Sequence, residues 1–134
     1  NSDLTRTVFN HSINPFLEKI YDIVLRAQTA ACNAVRPRIT TGNLDSIARD
    51  IIGAEGYGDH FGHSLGHGIG MEVHEIPAVK ADDFRLKKNI AVTIEPGIYI
   101  PGSGGVRIED MVLVTAGGRE ILTRASKEIT VIWR

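Results

Sequence analysis

The sequence predicts an α+β domain in which helices cover one face of an antiparallel sheet. Apolar residues recur at helical spacing before Gly58, whereas shorter segments with alternating apolar and polar residues follow it. Helices followed by a run of antiparallel strands are typical of this fold class. A chain of 134 residues is long enough to bury one hydrophobic core, which indicates a single domain.

Two helices are predicted in the first part of the chain. The first begins after Pro15 and ends near Val35, and its apolar stripe consists of Phe16, Ile20, Ile23, Val24, Ala27 and Ala31. The second is capped by Thr41 or Asn43 and ends around Gly53 to Gly56, with an apolar stripe of Leu44, Ile47, Ile51 and Ile52. Both stripes indicate core contacts with a sheet.

A β-hairpin is predicted after Asn89. Alternation puts Thr93 and Glu95 on one face, and the turn residues from Pro101 to Gly105 follow. A second strand is predicted from Val106 to Thr115, with one face formed by Arg107, Glu109, Met111 and Leu113. If the turn centres near Gly102, Glu95 and Glu109 lie on neighbouring strands and converge on one side of the sheet.

Other strands are predicted on both sides of this hairpin. One runs through the histidine-containing segment after Gly58, and a last pair is formed by residues near Glu120 to Leu122 and Glu128 to Trp133. We find no internal repeat, low-complexity tract or linker in the sequence.

Composition excludes some classes of function. The formal net charge is -1, and the sequence contains no run of basic residues that could bind along a phosphate backbone. We therefore expect no nucleic-acid partner. No segment approaches the run of about 18 apolar residues that a transmembrane helix requires, and we expect no membrane partner. The single cysteine, Cys32, lies in a helical run and indicates a packed thiol. A cytoplasmic location is the simplest expectation.

Five side chains that bind metals or transfer protons are concentrated in the second half of the chain: His63, His67, His74, Glu95 and Glu109. Imidazole and carboxylate groups bind divalent cations, and mixed sets of them are typical of catalytic sites with positions open for water. Two carboxylates brought close together repel each other, and a cation between them removes that repulsion. For the glutamates alone, a solvated face without metal is an equally good interpretation.

Glycines determine the conformation predicted for the histidine segment. Gly62, Gly66, Gly68 and Gly70 disfavour a helix, because each interior glycine costs about 1 kcal/mol relative to alanine. In an extended chain His63 and His67 share a face, whereas His74 needs a bend or bulge to join them. One histidine alone is more often a packing residue, but three in this glycine frame favour a functional site.

These motifs resemble a known family. The segments FGHSLGHGIGMEVHE, TIEPGIYI and GGVRIEDMVLVT, together with the opening SDLTRT, resemble the C-terminal part of the catalytic domain of Xaa-Pro dipeptidases (prolidases) and aminopeptidase P. The resemblance implies the C-terminal portion of the pita-bread (creatinase/aminopeptidase-like) fold, with a curved antiparallel sheet and helices on one face. It covers most of the chain, so residues 1–134 are expected to form part of a metallopeptidase catalytic domain.

The resemblance also implies roles for individual residues. Four of them correspond to ligands of a two-metal site, namely Asp3, His67, Glu95 and Glu109. His63 and His74 correspond to residues on the substrate side that steady the scissile carbonyl and its tetrahedral intermediate. Arg107 resembles an arginine of the proline-directed branch, since methionine aminopeptidases lack the VRIED form.

One departure from the family pattern affects the expected activity. The family has five protein ligands, and the first is an aspartate about ten residues upstream of the SDLTRT motif, beyond Asn1. The pita-bread domain is also nearly twice as long as this chain. We therefore expect a fragment of a longer enzyme. Alone it should bind metal weakly and show little or no peptidase activity, and its uncovered apolar surface should favour homo-oligomers.

The implied reaction is the hydrolysis of Xaa-Pro peptide bonds by a hydroxide held between two divalent cations. His63 and His74 would stabilise the oxyanion, and Glu95 would also carry a proton to the proline nitrogen. Mn²⁺ is the preferred metal, and Co²⁺, Zn²⁺ or Fe²⁺ are alternatives. The partner is a small peptide with proline after the scissile bond.

Three other functions remain open at the level of sequence. A creatinase-like hydrolase uses similar histidines without metals, and pita-bread domains also act as non-catalytic protein-binding modules. The third is a structural domain stabilised by metal. Retention of His67, Glu95 and Glu109 favours the peptidase over the first two alternatives.

Overall fold

The computed structural model describes residues 1–133. The two predicted helices are confirmed as α1 (Pro15–Ala34) and α2 (Thr41–Ala54). The Asn14 side chain caps α1 by accepting hydrogen bonds from the backbone amides of Phe16 and Leu17. The cap of α2 is Thr40 rather than Thr41 or Asn43, because Thr40 is still extended and its hydroxyl accepts the amide of Asn43.

Nine strands accompany the helices in the described part of the chain. They are β1 (Phe9–Asn10), β2 (Gly66–Gly68), β3 (Glu75–Val79), β4 (Ala91–Ile94), β5 (Gly97–Ile100), β6 (Gly104–Arg107), β7 (Asp110–Thr115), β8 (Gly118–Ile121) and β9 (Val131–Ile132). The main sheet has five antiparallel strands in the order β3-β2-β4-β7-β8. A 3₁₀ turn spans Gly58–His60. These elements confirm the predicted α+β class.

One hydrophobic core joins the helices to the sheet. The buried face of α1 includes Ile20, Val24, Ala27 and Ala31, and it packs with Leu44 of α2 and with the strand residues Val92, Ile94, Val112 and Val114. Spacings of three, four and seven residues place these α1 side chains on one helical face, as the sequence pattern predicts. Among residues 1–133, neither helix combines the length and apolar character required to cross a bilayer.

The predicted hairpin is confirmed, but it consists of two consecutive strand pairs. Strands β4 and β7 pair from Ala91–Leu113 to Ile94–Asp110, and β5 and β6 pair from Gly97–Arg107 to Ile100–Gly104. The single strand predicted from Val106 to Thr115 was therefore wrong. Pro96 has no N–H to donate to a ladder at this point. The amide of Glu109 instead donates to the carbonyl of Thr5, 3.1 Å away.

Both strands predicted at the end of the chain are present, but they do not pair with each other. Strand β8 pairs with β7, whereas β9 pairs in parallel with β1 near the N-terminus. The connecting residues are held elsewhere, since Arg6 donates hydrogen bonds to the carbonyls of Ala125 and Ser126. This diverts the chain away from β8.

Candidate metal centre and cleft

The break in the hairpin places the two predicted glutamates opposite each other. The flanking pairs Ile94–Asp110 and Gly97–Arg107 continue in one register, which sets Glu95 across from Glu109. The predicted convergence of Glu95 and Glu109 thus follows from the observed pairing. The turn also lies where it was predicted, with Gly102 at φ 79°, a conformation that favours glycine.

Within residues 1–133, Asp3, His67 and Glu109 form a group of side chains that could hold a metal ion. One ligand atom from each of the three residues lies within 4.8 Å of the others. Glu95 joins this group through His67, whose Nε2 atom lies 3.3 Å from Glu95 Oε1 and 3.6 Å from Asp3 Oδ2. The structure therefore brings all four predicted ligands together.

The N-terminal segment is held against the end of β6 and the start of β7, and this places Asp3 in the group. The Thr7 hydroxyl bonds to the backbone of Arg107, and an Arg6 guanidinium nitrogen donates to the carbonyl of Glu109 at 2.6 Å. The Thr5 hydroxyl donates to Glu109 Oε2 at 2.5 Å. These contacts join residues about a hundred positions apart in sequence.

Glu109 is 2 % exposed, and the surroundings of its carboxyl group are suited to a cation. Within residues 1–133, its Oε1 atom is buried without a hydrogen-bond partner. Burial raises the pKa of Glu109, and the charges of Glu95 and Asp3 raise it further, against the lowering effect of Thr5 and Arg107. A divalent cation would pair with the free oxygen and offset the repulsion, so these residues fit a metal.

The His67 ring is oriented for metal binding. Its Nδ1 atom lies 2.9 Å from the carbonyl oxygen of Gly68, which can only accept a hydrogen bond. Nδ1 therefore carries the proton, and the lone pair of Nε2 points toward the carboxylates. Gly66 allows this arrangement, because a Cβ atom there would lie 1.9 Å from the carbonyl oxygen of Thr93 on β4.

An open cleft of about 470 Å³ lies beside the carboxylates. Its lining includes the remaining predicted site residues, since His63, His67, His74, Glu95 and Arg107 all contribute to its walls. The expected bend is present, because the ladder shifts register after His67 and the His74 ring returns to within 4.2 Å of the His67 ring, centroid to centroid. The structure thus places all three histidines at one cleft.

Tyr99, which contacts two residues of the cleft wall, was missed by the sequence analysis. Its hydroxyl oxygen lies 3.0 Å from His63 Nε2 and 3.3 Å from an Nη atom of Arg107. The alternation of β5 could have identified it, since residues two and four positions after Glu95 continue the same face. The hydrogen bond with Tyr99 raises the pKa of Arg107, which remains a cation at the cleft wall.

The threonines Thr5 and Thr93 were missed as well. Thr5 bridges two site residues, since its hydroxyl donates to Glu109 and accepts from Arg107 Nε at 3.1 Å. Thr93 donates to Glu95 Oε1 at 3.0 Å and accepts the His67 amide at 3.0 Å. The sequence feature that could have identified them is their spacing from predicted ligands. Thr5 follows Asp3 by two residues, and Thr93 precedes Glu95 by two.

Comparisons with known proteins identify the family of the chain. The model of metallopeptidase family M24 matches residues 1–116. The chain is 53% identical over 130 residues to an Xaa-Pro dipeptidase from Pyrococcus furiosus, covering 96% of this chain and 37% of that protein. It is also 49% identical over 132 residues to a putative dipeptidase from Bacillus subtilis, covering 98% of this chain and 36% of that protein.

Solved structures give the same result. An Xaa-Pro dipeptidase from Bacillus anthracis superimposes with a TM-score of 0.95 at 47% identity, over 98% of this chain and 37% of that one. An X-Pro aminopeptidase from Thermotoga maritima gives a TM-score of 0.94 at 44% identity, over 98% and 38% of the respective chains. The chain therefore belongs to the M24 metallopeptidase family and has its pita-bread fold. It spans little more than a third of the length of these relatives.

Proposed function

We propose that the protein carrying this chain hydrolyses Xaa-Pro peptide bonds with the help of two divalent cations. The observation that carries the proposal is the convergence of Asp3, His67 and Glu109 beside an open cleft. Glu95, which contacts His67, completes a set of oxygen and imidazole donors suited to such cations. Relatives named Xaa-Pro dipeptidase and X-Pro aminopeptidase support the substrate class.

When bound, the cations supply activated water at neutral pH and Lewis-acid polarisation of the scissile carbonyl. Asp3, His67, Glu95 and Glu109 are the residues that would hold them. Glu95 is also in a position to transfer the proton toward the proline nitrogen, because it lies both in the ligand group and on the cleft wall. Mn²⁺ is the proposed metal, with Co²⁺, Zn²⁺ or Fe²⁺ as alternatives.

The two remaining cleft histidines have different hydrogen-bonding capacity. His63 Nδ1 lies 2.8 Å from the carbonyl oxygen of Ser64, so Nδ1 carries the proton and the neutral Nε2 accepts from Tyr99. In this tautomer His63 orients the Tyr99 hydroxyl. His74, whose ring lies beside that of His67, is the better placed oxyanion donor in this proposal. Arg107 remains charged and is suited to a carboxylate of the peptide.

The proposal extends to assembly and location. Exposed apolar side chains near the N-terminus support self-association, namely Leu4, Val8, Ile13 and Phe16. We propose a homo-oligomer in the cytoplasm, with a small peptide as substrate and neither nucleic acid nor membrane as partner.

Chelation and metal restoration test the activity. The protein is treated with EDTA, dialysed, and supplied with Mn²⁺, Co²⁺ or Zn²⁺, while proline release from an Xaa-Pro dipeptide and cleavage of an Xaa-Pro tripeptide are followed. We expect turnover to disappear with the metal and to return with Mn²⁺. The control is His11→Asn, which changes an exposed histidine outside the cleft. Undiminished turnover after complete metal removal would refute the proposal.

A further inference from the structure

The segment that carries His63 has no secondary structure of its own. Residues 61–65 belong to no helix or strand, although Phe61 and Leu65 are buried at both ends. Backbone groups in such a place need partners from elsewhere in the chain. Those partners come from two side chains one turn apart on α2, Asp45 and Arg49.

Arg49 binds two carbonyl groups of the segment at once. Its Nη atoms donate to the carbonyl oxygens of Phe61 at 3.0 Å and of His63 at 2.5 Å, while Nε donates to Asp45 Oδ2 at 2.6 Å. The guanidinium carbon also lies 4.3 Å from the centroid of the Phe61 ring. The Phe61 ring packs edge-on against the His63 imidazole, with centroids 5.1 Å apart.

Asp45 continues the same arrangement toward the metal centre. It is 3 % exposed, and its second oxygen accepts the amide of Leu65 at 3.2 Å. The carbonyl of Leu65 in turn accepts the amide of Glu95 at 2.8 Å. The Asp45–Arg49 pair therefore contacts the main chain on both sides of His63. Leu65 alone links Asp45 to the candidate ligand Glu95.

We propose that Asp45 and Arg49 are positioning residues, which hold His63 in the orientation where its Nε2 atom meets Tyr99 at the cleft. The inference rests on the proposed function, because His63 is the group through which the pair would affect peptide hydrolysis. A planar guanidinium is required, since its fixed fork reaches two carbonyls and a carboxylate together. Lysine retains the charge but cannot make these contacts at once.

Arg49→Gln and Arg49→Lys test the role, with Arg26→Gln as the matched control. Arg26 forms an ion pair with Glu55 at 2.6 Å but is 57% exposed and is not among the residues that line the cleft. We expect Arg49→Gln to lower kcat by roughly 10- to 100-fold, the effect of a displacement near 1 Å at the reacting centre. Metal content should stay at the wild-type value, and Arg26→Gln should change kcat by less than about twofold.

Arg49→Lys separates positioning from general stabilisation of the fold. We expect this variant to recover Tm toward wild type while kcat stays low, because the carbonyl fork is not restored. If kcat follows Tm across all three variants, or if Arg49→Gln retains wild-type kcat, the positioning role is overturned. Should Arg49→Gln fail to fold, Arg49→Lys alone gives the comparison between kcat and Tm.

A second measurement needs no turnover. Imidazole ¹⁵N resonances of the substrate-free protein report the ring environments of His63 and His67. We expect the His63 signals to move in both Arg49 variants while those of His67 stay in place. Unmoved His63 signals would overturn the positioning role. A wild-type protein without Xaa-Pro activity would refute the proposed function, whereas displaced His63 signals would still establish that Arg49 orients the ring.

Discussion

The most informative stability test concerns Asp110, the residue that follows Glu109. Its side chain is fully buried and accepts four hydrogen bonds, from Arg6 at 2.7 Å, Thr123 at 2.6 Å, Gln28 at 2.8 Å and Lys127 at 2.5 Å. Burial alone would raise the pKa of Asp110, but these donors together lower it. The carboxylate therefore links the N-terminal segment, α1 and the chain after β8.

Replacement by Asn keeps the shape and removes the charge. One amide oxygen can still accept two of the donors, while the NH₂ group faces the other two. Two charge-assisted hydrogen bonds are lost at about 1.5–3 kcal/mol each, and breaking one partner of a buried ion pair costs about 3–5 kcal/mol. We expect Asp110→Asn to lower the free energy of unfolding by about 3–5 kcal/mol, a large fraction of the usual 5–15 kcal/mol.

Urea unfolding followed by circular dichroism measures this loss. The control is Glu55→Gln, which breaks the solvent-exposed pair with Arg26 and should leave the urea midpoint nearly unchanged. The folded pKa of Asp110 is depressed, so its stabilisation is present above its unfolded value near 3.8 and lost as pH falls through the folded pKa. The difference between wild type and Asp110→Asn should shrink there. A loss below about 1 kcal/mol at neutral pH would contradict the reasoning.

Two further predictions concern the metal centre. His67→Ala should lower both metal content and rate, whereas His74→Ala should retain the metals and lower kcat by roughly 10²-fold; equal metal loss in both variants would refute this division. In chelated protein, burial and the neighbouring carboxylates raise the pKa of Glu109 above its usual 4.5. The stability that protonated Glu109 contributes is therefore fully present below pH 4.5 and is lost as the pH rises through the folded pKa. Glu109→Gln should therefore have a higher Tm than wild type in EDTA at neutral pH, and a lower one with Mn²⁺. An unchanged order of the two Tm values on adding Mn²⁺ would count against a metal at Glu109.

The features that the sequence determined by itself are those that depend on residues only a few positions apart. The apolar spacing of α1 and the alternation around Thr93 and Glu95 are local properties, because helix and strand geometry repeat every few residues. The turn at Gly102 follows from local residue preference as well. From these the facing positions of Glu95 and Glu109 could be predicted, and the glycine frame around His67 excluded a helix.

The features that only the tertiary structure decided depend on contacts between distant residues, which leave no periodic signal. Asp3 reaches Glu109 because the segment around Thr5 pairs with the gap in the hairpin, more than a hundred positions away. The parallel pairing of β9 with β1 depends on Arg6 holding the chain after β8. Tyr99 and Arg49 acquire their roles in the same way, since burial and hydrogen-bond partners are set where separate elements pack together.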